Sequence, residues 1–142
     1  MKNLITILTL AFAFTLTQST TAQDLSSINT KKKNYIVLTK KVPQLKPITL
    51  AAQEMRVEDG KKYGEFHVVF CGKEIGQLTD KELMKPYLEM LEKGNVKLIA
   101  CGFSLNKFGV DPDELPKGID IVDNGIAYSL KLKKLGFYGM EL

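Results

Sequence analysis

Val96-Lys97-Leu98-Ile99-Ala100-Cys101-Gly102-Phe103-Ser104-Leu105-Asn106-Lys107-Phe108-Gly109-Val110 decides how this chain folds. It opens as a short apolar run with the length of a buried strand, then breaks at Cys101-Gly102 into residues suited to a loop and a short helix. Cys101 therefore falls at a strand's carboxyl end. In open α/β sheets ligands and reactive groups collect at that edge, where helix N-termini point their N–H groups into a crevice. A thiol placed there is stabilised as thiolate by the following helix, although free cysteines are also among the most buried of residues and serve simple packing.

Outward from this stretch the pattern alternates. Tyr35 to Thr39 is a continuous apolar run of the kind that a strand buried on both faces requires. Pro47 stands as a first helical residue before Ile48, Ala51, Ala52 and Met55 at helical spacing. Glu65 to Cys71 reads as the second strand, so both cysteines lie at strand ends. Thr79 to Glu82 has the form of a capping box ahead of a stripe of Leu83, Tyr87, Met90 and Leu91, with a break or kink expected at Pro86 and a C-cap at Gly94. After the Cys101 stretch, Asp111-Pro112 reads as a capped turn and Ile119 to Val122 as a fourth strand. Asp123-Asn124 caps a last helix carrying Ile126, Ala127, Leu130 and Leu135, and Phe137 to Met140 forms a short fifth strand. Alternating elements of these lengths predict an α/β fold: three layers, α/β/α, around a mostly parallel sheet of about five strands.

The N-terminus has the grammar of an address. A basic Met1-Lys2, an apolar Leu4 to Leu16 too short to span a bilayer comfortably, and Thr20-Thr21-Ala22 predict a signal peptide over 1–22, cleaved before Gln23. An uncleaved anchor is the alternative. Export to the periplasm or medium follows, with no stable membrane insertion after processing. The remainder divides into a polar lead-in, 23–33, and one domain, 34–142. About 120 residues suffice for a single core.

Loss of Lys2 takes the net charge from +4 to +3, and the one basic run, Lys31-Lys32-Lys33, has no aromatic or helical context. No nucleic-acid partner is predicted. His67 is the single histidine and reads as a packed or half-exposed strand residue; with two separated cysteines it does not make a zinc site, which needs three or four ligands. Gly72-Lys73-Glu74-Ile75-Gly76 matches neither phosphate-binding fingerprint. No metal and no cofactor are expected.

Cys101 followed by a small residue, a short helix and Gly109-Val110 resembles the sulfur-relay segment of the DsrE/DsrF-like family, which includes the TusD-type carriers. Asp111 to Pro116, Gly118 to Val122, Asn124-Gly125 and Leu135 to Tyr138 are also similar, so the resemblance runs over most of the chain from Tyr35 onward. It implies the same three-layer fold and a sulfurtransferase-like carrier in which Cys101 accepts a sulfane sulfur as persulfide and passes it to a donor or acceptor protein. It also implies a homo-oligomer, a trimer or a multiple of one, to which incompletely buried Phe103, Phe108, Phe137, Tyr138 and Met140 would contribute. Gly102, Ser104 and Asn106 are placed to bind the sulfur or an anion, with helix capping as the second reading of Ser104.

Two other readings stand beside the carrier. A thiol–disulfide module would use Cys71 as redox partner of Cys101, provided that neighbouring strands about 5 Å apart turn both side chains toward each other. A non-catalytic binding or assembly module would use the cysteines for packing.

Overall fold

The structure is a computed structural model and describes residues 24–142; the signal-peptide reading lies outside the described residues. Nine principal elements follow in chain order: β1 (Lys33–Thr39), α1 (Leu45–Asp59), β2 (Tyr63–Phe70), α2 (Lys81–Gly94), β3 (Val96–Cys101), α3 (Gly102–Lys107), β4 (Ile119–Val122), α4 (Gly125–Lys134) and β5 (Tyr138–Glu141). The sheet order is β4-β3-β2-β1-β5 and every pairing is parallel.

This order dictates where the helices go. The chain steps from β1 through β4 in one direction, then returns across the sheet to lay β5 beside β1. Right-handed crossovers therefore put α1 and α2 on one face and α4 on the other. Strand residues sort by alternation. Tyr35, Val37 and Phe66 line a groove with Ala51 and Met55 of α1, whereas Val69, Cys71 and Cys101 lie under the first residue of α4. The core between the layers contains Phe70, Leu98, Ile99, Leu45, Met84, Leu105 and Leu132, all at or below 1 % exposure.

Several local expectations need correction. The N-cap of α2 is Asp80, whose carboxylate accepts from Leu83 N–H. The helix passes Pro86 as one element, buries Met84 and Leu91, and leaves Leu83 exposed. Its left-handed cap is Asn95; Gly94 lies inside the helix, where a Cβ would sit 2.8 Å from Thr49 Cγ2 of α1. In α4 the buried face is Gly125, Tyr128, Ser129 and Leu132, while Ile126 and Leu130 face outward. Phe137 is buried, in contrast to Phe103, Phe108, Tyr138 and Met140.

The lead-in is tied to the domain. Lys33 opens β1 and its ammonium pairs with Asp59 at 2.6 Å, a carboxylate that also accepts from the Tyr35 hydroxyl. Leu25 and Ile28 pack against the core edge. No helix among the described residues is long and apolar enough to cross a membrane.

Candidate functional site

β2 and β3 run parallel with Phe70 opposite Ala100, so the next residue pair is Cys71 and Cys101. Parallel neighbours in register put their side chains on the same face, about 4.8 Å apart at the backbone, inside the span that a disulfide bridges. The two side chains converge beneath Gly125, whose Cβ position lies 2.7 Å from Cys71 Sγ and 3.1 Å from Cys101 Cβ, close enough for each thiol to shift the other's ionisation. Both cysteines are free and buried. The side-chain convergence that strand adjacency alone left open is thus present.

The hydrogen bonding around the pair is lopsided. Cys101 Sγ accepts from Gly125 N–H at 3.2 Å, the first amide of α4, and from the Ser104 hydroxyl and backbone. Ser104 Oγ in turn accepts from Gly72 N–H at 3.0 Å, which orients its own proton toward sulfur and ties the residue after Cys71 to α3. Charge follows the donors. The bond from Cys71, with those from Ser104 and Gly125, holds the Cys101 thiol down to about 5, against the opposing effect of burial. Donating to Cys101 pushes the Cys71 thiol well above its ordinary range, and burial and the neighbouring negative charge push it further. The donors therefore favour negative charge on Cys101 and the proton on Cys71.

Gly125 is the residue that makes this possible. A Cβ there would lie 2.6 Å from Val69 Cγ1 and 2.7 Å from Cys71 Sγ, distances that atoms do not tolerate, and a tight 3.1 Å from Cys101 Cβ. Only a residue without a side chain lets the helix start directly over both thiols. Asn124 caps that start, its side-chain oxygen accepting from Ile126 and Ala127 N–H, so the Gly125 amide is left for sulfur. Toward the surface, Lys40 and Glu141 form an exposed ion pair of 2.7 Å whose charges both act on Cys71.

Of the residues singled out from the sequence, Cys101, Cys71 and Ser104 come together. Gly102 begins α3 and packs against the Val122 carbonyl, while Asn106 is exposed, its carbonyl accepting from Gly109 N–H at 3.2 Å. Gly125 and the Gly72 amide are functional positions that the sequence reading does not single out; the Asp123-Asn124 cap signals a helix start but carries no mark of what lies beneath it.

A second buried polar group lies on the same face. His67, 2 % exposed, has Nδ1 2.9 Å from the Tyr128 hydroxyl and Nε2 2.7 Å from Glu65 Oε2, and Glu65 also receives Lys97 Nζ at 2.7 Å. A carboxylate only accepts, so Nε2 carries the proton and Nδ1 accepts from Tyr128. Burial holds the imidazole below its ordinary pKa. Among the described residues no group of three or more histidine, cysteine or acidic side chains is placed to hold a metal ion.

No family model matches this chain, and no curated protein matches it. A solved structure does: that of a protein of unknown function, MTH1491, from Methanobacterium thermoautotrophicum, at 17 % identity and a TM-score of 0.60, over 78 % of this chain and 99 % of that one. At this identity the likeness is one of fold, a five-stranded parallel sheet between helical layers.

Proposed function

We propose that the chain is a thiol–disulfide protein with Cys101 as attacking thiolate and Cys71 as resolving thiol. The observation that carries this reading is the pair itself, two thiols at adjacent strand ends that converge beneath Gly125, with the Gly125 N–H directed at Cys101 Sγ. The chemistry balances in two exchanges. Cys101 thiolate attacks a partner disulfide R–S–S–R′, forming the mixed disulfide Cys101–S–S–R and releasing R′–S⁻. Cys101 then no longer carries charge or accepts the Cys71 proton, so the leading cause of the raised Cys71 pKa disappears and burial remains. Cys71 gives its proton to solvent or to the departed thiolate and attacks Cys101 Sγ, expelling R–S⁻. The partner ends as two thiols and this chain as a disulfide, in an order that the pair's own electrostatics impose.

The resemblance to sulfur carriers supports a second reading at the same atom, a persulfide on Cys101. The Gly125 N–H and Ser104 hydroxyl suit an anionic sulfur, but Cys71 is placed to attack a persulfide and expel hydrosulfide. One incubation separates the two. Reduced protein treated with inorganic polysulfide, then analysed by peptide mass spectrometry, releases sulfide and gains a Cys71–Cys101 bond under the dithiol reading. Stable addition of one sulfur at Cys101 supports the carrier and overturns the dithiol. Unreacted thiols at both positions leave a packing role for the pair.

The leader read over 1–22 accords with this proposal, since disulfides persist after export. Assembly as a homo-oligomer, a trimer or a multiple of one, is part of the same reading, supported by exposed Phe103, Phe108, Tyr138 and Met140. Light scattering that finds a monomer at high micromolar concentration overturns it.

A further inference from the structure

We infer that β5 is the edge through which two copies of this chain associate, antiparallel and about a twofold axis at Met140, so that their sheets continue into one. The inference stands apart from the thiol chemistry and names a contact for the assembly: a twofold, which alone makes a dimer and together with a trimer makes a hexamer.

The backbone sets the register. β5 is an outer strand of the sheet and all four of its residues are exposed. Leu142 N–H donates to the Leu38 carbonyl at 2.9 Å. Peptide groups alternate along a strand, so Met140 also turns its backbone toward β1, while Gly139 and Glu141 turn their N–H and C=O groups outward. Among the described residues no strand pairs with that outer side. With Met140 opposite its own copy, Gly139 of each chain faces Glu141 of the other, and each such pair exchanges two backbone hydrogen bonds. Edges are ordinarily blunted by proline, a bulge or an outward lysine. Tyr138-Gly139-Met140 carries no proline or lysine, and the acid after it is matched by Lys40 at 2.7 Å.

The side chains on both faces fit a second copy. On the α1 face Tyr138 and Met140, exposed at 60 % and 58 %, border the groove that holds Tyr35, Ala51 and Met55, and Leu142 follows in the same alternation. The axis doubles this ridge, setting Met140 against Met140 and Tyr138 against Leu142. On the α4 face Lys133 lies over Gly139, where a Cβ would come 2.6 Å from Lys133 Cε. Because Gly139 faces the second copy's Glu141, each lysine meets a carboxylate across the axis; Glu141 Oε1 takes the Lys40 ammonium, and Oε2 is turned to that lysine. Exposed Ile126 and Leu130 flank the same groove as Lys133 and Glu141. This chain's own sequence, run antiparallel, thus brings apolar to apolar on one face and lysine to acid on the other.

Light scattering of the purified protein at high micromolar concentration should find a dimer or a hexamer. A monomer overturns the contact, and a trimer overturns it while leaving the trimer reading intact. Register is read by cross-linking. Opposed Met140 Cα atoms lie about 4.5 Å apart in such a pair, so Met140→Cys treated with diamide should give a dimer linked through the introduced thiols, located by peptide mass spectrometry. Glu141→Cys, whose copies stand more than about 7 Å apart, should link on the order of tenfold more slowly. Met140→Lys and Lys133→Glu, each with a native circular dichroism spectrum, should weaken association on the order of tenfold. Equal linkage at positions 140 and 141, or parent-like association of Met140→Lys, overturns the inference. The redox reading stands or falls separately, by disulfide formation between Cys71 and Cys101 in either variant.

Discussion

The α4 face of β2 presents two buried polar groups four residues apart, His67 with its partners and Cys71 with Cys101. They were built on opposite plans. Around His67 every polar atom has its complement: Tyr128 gives to one ring nitrogen, Glu65 takes from the other, and Lys97 closes the chain at the surface. The ring stacks on Tyr128 at 6.1 Å and meets the edge of Phe137 at 5.4 Å. Around the thiols the donors fall on one sulfur and the proton stays on the other. A saturated buried network rigidifies; an unbalanced one concentrates charge on a single sulfur. Burial of a polar residue is therefore no guide to its role until its partners are counted.

The largest effect expected from this contrast is on stability. His67→Ala removes both hydrogen bonds and leaves the Tyr128 hydroxyl without its partner at a buried site, a loss of about 3 kcal/mol. Urea denaturation checks the loss, and the folded variant should keep the parent's rate of Cys101 alkylation. A variant that is equally stable, or that changes the thiol, would merge the two regions into one functional unit.

Next in size is the effect of separating the sulfurs. Cys71→Ala deletes the leading cause of the low Cys101 pKa and should raise its half-ionisation point by on the order of one to two pH units. Alkylation rates as a function of pH report this, with the parent titrating at about 5. An unchanged profile would assign the ionisation to Gly125 and Ser104 alone.

A broader effect, spread over several pH units, is the dependence of stability on pH, in which the two regions occupy different windows. Cys101 is depressed on folding from 9.0 to about 5. Between these values the unfolded chain holds a proton that the native chain does not, so stability rises with pH across that window and is lost as pH falls through it. His67, depressed from 6.5 by burial, adds a loss of the same sign only below 6.5. Cys71, raised on folding, acts above 9.0, where stability falls again. Urea midpoints should thus flatten between pH 6.5 and 9 in Cys101→Ser, whereas the His67 variant loses slope only on the acid side.

Much of this architecture was legible because the strands are continuous apolar runs and the glycines and prolines punctuate them. The thiol site was legible only in part. Strand ends placed both cysteines at one edge, but whether they converge depends on the β2–β3 register, Phe70 against Ala100, which no local pattern encodes. Gly125 escaped because a glycine at a helix start satisfies local rules whatever lies beneath it. In α4 the apolar Ile126 and Leu130 face outward and the buried face is Gly125, Tyr128, Ser129 and Leu132, because the helix starts at Gly125 over the thiols and turns its tyrosine toward His67. His67 itself was rightly read as packed, and its network with Tyr128, 61 residues away, is a product of the crossover from β4 to β5.

The central claim is that Cys71 and Cys101 act as one unit. Its most direct test is to treat the reduced, metal-free protein with oxidised glutathione and follow intact and peptide masses. The pair predicts loss of two hydrogens, a peptide linked through Cys71 and Cys101, and only transient glutathionylation. In Cys71→Ser the adduct should persist on Cys101. Stable glutathionylation of the parent at Cys101, or two thiols left unreacted, would contradict the account.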